Sequence, residues 1–235
     1  MLGVLAGAAV GSASALMAYA VRGPSAGWFA PSVYRGTEER RSVALTFDDG
    51  PSPGTEQLLE ILARHRVPAT FFPCGMNVER LPQATHAAAA AGHEIGNHTW
   101  SHPLLCRLTR SAIALEIGRA QDAIRRAAGV TPALFRAPFG ARWFGLGAAQ
   151  RRHNLKGVMW SVLGRDWKLS GDAIAARVLR KIHNGAIVCL HDGRELDSRP
   201  DVSATLEAVR LLIPALRARG FAFETVSQIV CPTTH

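Results

Sequence analysis

From Arg41 onward the chain alternates short runs of apolar and β-branched residues with longer stretches of helical periodicity, and this alternation restricts the fold more than any other feature. The runs Val43 to Phe47, Ala69 to Phe72, Glu94 to Asn97, Leu134 to Arg136, Gly157 to Trp160, Ala186 to Leu190 and Phe221 to Thr225 read as strands. The stretches between them have the length of helical crossovers rather than hairpin turns, so these seven strands are expected to lie parallel in one α/β sheet or barrel. Between the third and fourth strands, Ile113, Ile117, Ala120, Ile124 and Ala127 recur at spacings of four and three, opened by Thr109 and closed by Gly129 and Pro132. That pattern predicts a helix lying on the sheet. A last helix, about Ser203 to Arg219, carries Leu206, Val209, Leu212, Ile213 and Leu216 on one side and contains Pro214, which predicts a kink.

With 48% apolar and 19% charged residues, the 235-residue chain can bury a full core, which excludes a disordered, collagen-like or coiled-coil protein. The formal net charge of +9 favours anionic surroundings, but no nucleic-acid-binding module accompanies it. Cys74, Cys106, Cys189 and Cys231 lie far apart with no Cys-x-x-Cys pair, which argues against a zinc ribbon or a dense disulfide framework; Cys189, inside an apolar run, reads as core.

Met1 to Val21 contains no charged side chain. At a rise of about 1.5 Å per residue it can cross a bilayer core of about 30 Å, while Ala18-Tyr19-Ala20 has the small-x-small form of a cleavage site. Residues 1–21 therefore read as a transmembrane anchor or a signal peptide, and the protein as membrane-anchored in the cell envelope or secreted. The first basic residues, Arg22, Arg35, Arg40 and Arg41, follow this run, and the positive-inside rule places that flank in the cytoplasm, so the orientation of an anchor stays open. Residues 22–40, interrupted by Pro24, Gly27, Pro31 and Gly36, read as a linker, 41–230 as the folded domain and 231–235 as a tail.

In parallel α/β folds functional groups gather at the carboxyl ends of the strands. The first strand ends in Asp48-Asp49-Gly50-Pro51, two adjacent carboxylates whose mutual repulsion makes sense if one binds a cation and the other acts as a base. The third ends in His98-Thr99-Trp100-Ser101-His102, where one helical turn would aim both imidazoles at one point; two imidazoles and a carboxylate leave zinc an open position. The fourth ends in Arg136-Ala137-Pro138-Phe139-Gly140, an Arg suited to a two-pronged bond with a carboxylate and a bend whose N–H groups could face a developing oxyanion. The fifth leads into Asp166-Trp167 and the sixth into Leu190-His191, where Asp166 would hold His191 protonated for donation to a leaving amine.

In order and spacing, Thr46-Phe47-Asp48-Asp49-Gly50-Pro51, His98 to Pro103, Arg136 to Gly140, Asp166-Trp167 and Leu190-His191 resemble the five motifs of the polysaccharide deacetylases, the NodB-homology group of carbohydrate esterase family 4. The resemblance runs from about Arg41 to Val230. It implies a distorted (β/α) barrel, preceded here by the N-terminal apolar helix, that removes N-acetyl groups from amino sugars by attack of water activated at a divalent metal, usually zinc, with Co2+ or another transition metal as alternatives. By the same resemblance Asp49, His98 and His102 hold the metal, Asp48 is the general base, Arg136 orients it, and His191 is the general acid supported by Asp166. The backbone N–H of Phe139 contributes to the oxyanion site, and Trp167 and Leu190 line the acetyl pocket. Two positions depart from the family: Phe139 stands where Tyr is usual, and Leu163 where an additional Asp often precedes the Asp-Trp pair. The expected partners are an N-acetylated glycan (polysaccharide, oligosaccharide or glycolipid) and, through residues 1–21, a membrane; nucleic acid is not expected, and the chain is expected to be monomeric. A carbohydrate-binding protein that has lost turnover, or a hydrolase of non-sugar amides, is the alternative reading; the complete set of acidic and histidine groups argues against the first.

Overall fold

A computed structural model of the chain describes residues 14–231. Residues 14–22 form helix α1. Then come strand β1 (Ser32–Val33), strand β2 (Ser42–Asp48), helix α2 (Pro53–Arg64), strand β3 (Thr70–Phe72), helices α3 (Gly75–Arg80) and α4 (Pro82–Ala90), strand β4 (Glu94–Ile95), helix α5 (Arg110–Ala128) and strand β5 (Leu134–Phe135). Helix α6 (Leu146–Arg152), strands β6 (Lys156–Val158) and β7 (Val162–Leu163), helix α7 (Gly171–Lys181), strand β8 (Ala186–His191), helix α8 (Ser203–Ala218), strand β9 (Ala222–Phe223) and helix α9 (Val226–Val230) complete the order.

Every pair of these strands is parallel, in a sheet ordered β4-β3-β2-β8-β7, with β9 against the start of β2, and a second sheet ordered β1-β6-β5. Two seams join them into a distorted barrel. A parallel bridge between Asn97 and Phe135 links the end of β4 to β5, and the chain passes from β6 straight into β7, with Ser161 N–H donating to the carbonyl of Ile187. All seven expected strands are present, and β1 and β7 are additional to them.

The strand alternation sorts side chains into two layers. Val43, Leu45 and Phe47 of β2 and Ala186, Val188 and Leu190 of β8 join the outer core with α2, α7 and α8. Ala44 and Ile187 point the other way, into a cluster with Phe72, Leu134, Val158 and Ile229. Being covered on both faces, β2 is buried along its whole length. Helix α5 forms as its periodicity predicts: Thr109 accepts the N–H of Ala112 as N-cap, Gly129 ends the helix at φ 70°, and Ile113, Ile117, Ala120 and Ile124 are buried. Helix α8 continues through Pro214, with Ile213 and Leu216 buried on either side of it.

Residues 22–40 are not the free tether their prolines and glycines suggest. β1 pairs with β6, Ala26 and Ala30 are buried, and Arg35 bridges to Ala186. The buried guanidinium of Arg142 donates to the carbonyls of Gly23 and Ala26, while its N–H donates to Val21 O at 3.0 Å. One cation thus satisfies backbone carbonyls that the irregular chain leaves unpaired. Of the expected N-terminal span, residues 1–13 lie outside the described residues, as do 232–235 of the tail. Among the described residues no helix is long and apolar enough to cross a membrane. The four cysteines are free.

Candidate active site

The inward-facing row of β2 passes from Ala44 to Thr46 to Asp48, and that of β8 from Ile187 to Cys189 to His191, so the apolar filling gives way to chemistry at the carboxyl end. The parallel register pairs Thr46 with Cys189 and Asp48 with His191. Into this layer projects Arg136, from the residue after β5 and wholly buried. Its Nη1 donates to Asp48 Oδ1 at 2.7 Å and to Thr46 Oγ1 at 2.6 Å, and its Nη2 donates to Met159 O at 3.2 Å. The guanidinium lies 4.2 Å over the ring of Phe72. This is a single-pronged contact to Asp48, not the two-pronged one expected, because the other arm is engaged by a carbonyl; Asp48 Oδ2 is left to face Cys189 Sγ at 3.4 Å.

Asp49, His98 and His102 converge: their nearest ligand atoms lie within 4.8 Å of one another, and all three residues are buried. Asp49 Oδ1 is 3.2 Å from His102 Nε2 and 3.4 Å from His98 Nε2, yet accepts no hydrogen bond. These separations fit donors around one small cation, since tetrahedral bonds of about 2.0–2.1 Å put neighbouring donors about 3.3 Å apart. His98 Nδ1 lies 2.8 Å from Arg136 O, an acceptor only, so Nδ1 carries the proton and Nε2 presents a lone pair. The other oxygen of Asp49 accepts the N–H of Glu195 at 2.8 Å.

The histidine segment reaches this geometry without the expected helical turn. Thr99 and His102 have φ of 70° and 55°. The loop is pegged by side chains: Thr99 Oγ1 accepts from His102 N–H, and Glu116 of α5 accepts from the N–H groups of Trp100 and Ser101 and from Ser101 Oγ. Asp49, Phe139, Arg165 and Glu195 also have positive φ, so unfavourable backbone is concentrated around the site. At Gly50 a Cβ would meet the Asp192 carboxylate at 2.2 Å, so the turn after the acidic pair admits no side chain there.

On β8, beside Asp48, His191 Nδ1 lies 2.8 Å from Asp166 Oδ1, and Asp166 Oδ2 accepts from His191 N–H at 2.7 Å and from Thr205 Oγ1 at 2.8 Å. Burial alone would lower the His191 imidazole; Asp166 outweighs it and pushes the group up to about 9. Asp166 itself, although raised by burial, is held below its ordinary value by His191, Arg194 and Thr205. Trp167, 43% exposed, stands edge-on to His191 with ring centres 5.4 Å apart. On the opposite rim Phe139, 47% exposed, is 4.6 Å from the ring of His102. The cleft between them has a volume of about 900 Å³.

Nine of the ten residues singled out from the sequence belong to this assembly. Leu190 does not: it is fully buried in the outer core, because strand alternation turns it away from the cleft that Cys189 and His191 face. Leu163, Trp160 and Cys189 supply lining instead. Cys189 is buried, as its apolar run suggests, but on the cleft side; burial and the neighbouring Asp48 push its thiol up. Thr205 and Glu116 escape sequence reasoning, and Thr46 enters it only as a member of its motif, since only the fold shows which groups they meet.

The family model described as polysaccharide deacetylase matches residues 35–158. The chain is 41% identical over 198 residues to the chitooligosaccharide deacetylase of Bradyrhizobium sp. (strain ANU 289), covering 80% of this chain and 90% of that protein. The solved structure of the Bc1960 peptidoglycan N-acetylglucosamine deacetylase superposes with a TM-score of 0.78 at 34% identity, over 83% of this chain and 91% of that one. So does BA3943 of Bacillus anthracis, described as a CE4 family pseudoenzyme, with a TM-score of 0.78 at 29% identity over 86% of this chain and 69% of that one. The parallel barrel thus has counterparts among these proteins, and the chain belongs to the polysaccharide deacetylase family, the family 4 carbohydrate esterases.

Proposed function

We propose that the chain hydrolyses N-acetyl groups of amino sugars in a glycan, with a divalent cation held by Asp49, His98 and His102. The observation that carries this reading is the meeting of two groups at one cleft: three convergent donors with Asp48 beside them, and, on the neighbouring strand, a His191 paired with Asp166. Zinc suits two imidazoles and one carboxylate, with Co2+ the nearest substitute. When bound, such a cation supplies Lewis-acid polarisation of the acetamide carbonyl and of water.

The chain's own residues do the rest. Arg136 fixes Oδ1 of Asp48, leaving Oδ2 to accept the proton of the attacking water. The backbone N–H of Phe139 adds a donor for the charge that develops on the carbonyl oxygen. His191 Nε2 passes its proton to the departing nitrogen while Asp166 holds Nδ1, and a free amine and acetate leave. Trp160, Leu163 and Trp167 give the cleft an apolar lining that suits an acetyl methyl.

The pseudoenzyme relative makes an inactive glycan-binding protein the pertinent rival, and the complete set Asp48, Asp49, His98, His102 and His191 favours turnover here. Acetate release from chitin-type oligomers, peptidoglycan fragments and small non-sugar amides separates the readings. Release from the acetylated sugars, lost in His191→Ala, is expected; binding without release, or release only from non-sugar amides, contradicts the proposal. We further propose that residues 1–21 anchor the protein to a membrane or direct its export. Helix α1 continues the uncharged segment as far as Arg22, which lines the cleft. A membrane fraction positive for the protein in cells, or a processed extracellular form, is the expected result; protein confined to the soluble cell fraction overturns it.

A further inference from the structure

A second set of donors opens on the same cleft. The nearest ligand atoms of Asp48, Cys189 and His191 lie within 4.8 Å of one another. Alternation turns Cys189 and His191 inward together, and the register places them beside Thr46 and Asp48. The outer bonds are already taken: Arg136 holds Asp48 Oδ1 and Asp166 holds His191 Nδ1, at 2.7 and 2.8 Å. All three residues line the cleft, and the atoms left outside those bonds are Asp48 Oδ2, which accepts from Cys189 Sγ at 3.4 Å, and His191 Nε2. One oxygen, one sulphur and one imidazole nitrogen, the carboxylate and the imidazole each held from behind, form a ligand set. A sulphur donor selects thiophilic cations over magnesium or calcium.

We infer that Asp48, Cys189 and His191 form a second cation site, distinct from the Asp49–His98–His102 group, that takes a thiophilic divalent cation such as cadmium or excess zinc. On binding, the Cys189 S–H bond and any Nε2–H bond of His191 are broken and their protons pass to solvent. Sulphur, oxygen and nitrogen each then give a lone pair to the cation, with no change of oxidation state. The site engages the proposed base and acid together, so its occupancy blocks turnover. That consequence rests on the function proposed above, whereas the binding itself does not.

The test uses cadmium chloride as probe on protein carrying one equivalent of zinc, with Cys106→Ser and Cys231→Ser in the background to remove the two cysteines that are not buried. Cadmium is expected to bind with a thiolate-to-metal absorption band in the ultraviolet that is absent from Cys189→Ser. His191→Gln, which leaves the thiol in place, is expected to weaken the band's half-saturation at least tenfold. Inhibition of acetate release is expected to follow the band, and in Cys189→Ser, measured against that variant's own uninhibited rate, to need at least tenfold more cadmium. A band unchanged by Cys189→Ser, its absence from the parent protein, or cadmium that only replaces zinc at the Asp49 group overturns the second site. If no substrate is deacetylated at all, the absorption and binding arms still decide the site, and only the function proposed above fails.

Discussion

Asp48 and His191 occupy the same register position on adjacent strands, yet their supports differ in sign: a guanidinium behind one, a carboxylate behind the other. The pairing behind His191 raises it from its ordinary 6.5 to about 9 in the fold. Its contribution to stability is therefore fully present below pH 6.5 and is lost as pH rises through about 9, where the folded imidazole gives up its proton. Turnover that needs this proton should hold to about pH 9 and decline above it. Asp166→Asn removes the charge that raises His191, so the alkaline limb of the kcat profile should move to lower pH. A pH-rate series on the two proteins reads this directly, and an unmoved limb would show that another group supplies the proton.

At the scale of elements, α5 does more than cover the sheet. Its Glu116 pins the loop that carries both histidines, and the carbonyl of Ile117 accepts from Asn97 Nδ2 at 3.0 Å at the start of that loop. Glu116→Ala should therefore weaken metal binding about 10–100-fold, the usual cost of losing a support behind the ligands. Competition against a chromophoric chelator measures it; affinity equal to the parent protein would mean the loop holds its own shape. The existence of α5 was readable from Ile113, Ile117 and Ile124, from the Thr109 cap and from Gly129, because a 3.6-residue period leaves a trace in sequence. The shape of 98–102 was not, because the positive φ of Thr99 and His102 is imposed by partners from distant segments. Leu190 is a different case: the family resemblance implies a cleft residue, whereas the two-residue strand period, applied from His191, assigns the cleft to Cys189. The limit that applies to 98–102 also explains Arg136, whose carboxylate partner was foreseen but whose second arm is claimed by Met159, a carbonyl no motif predicts.

For the molecule as a whole, the barrel closes over an apolar filling and opens into one mouth where groups far apart in the chain meet. Asp49 and His102 are on different strand ends, and a cation between them would tie β2 to the loop after β4. Metal binding should accordingly stabilise the entire fold. At zinc concentrations near 100 times the dissociation constant the gain is about 2.7 kcal/mol, which for a domain of this size raises Tm by about 5–11 °C. Chelator-treated protein titrated with zinc and followed by calorimetry should show the rise, and His102→Ala should show little of it.

The account turns on Asp49, His98 and His102 sharing one cation that deacetylation requires. Metal content after dialysis against limiting zinc, measured on the same samples as acetate release from N-acetylated oligosaccharides, tests this most directly. The prediction is one tightly held zinc per chain in the parent protein, with metal and acetate release lost together in Asp49→Ala. An Asp49→Ala protein that contains no metal and still releases acetate at the parent rate would contradict it.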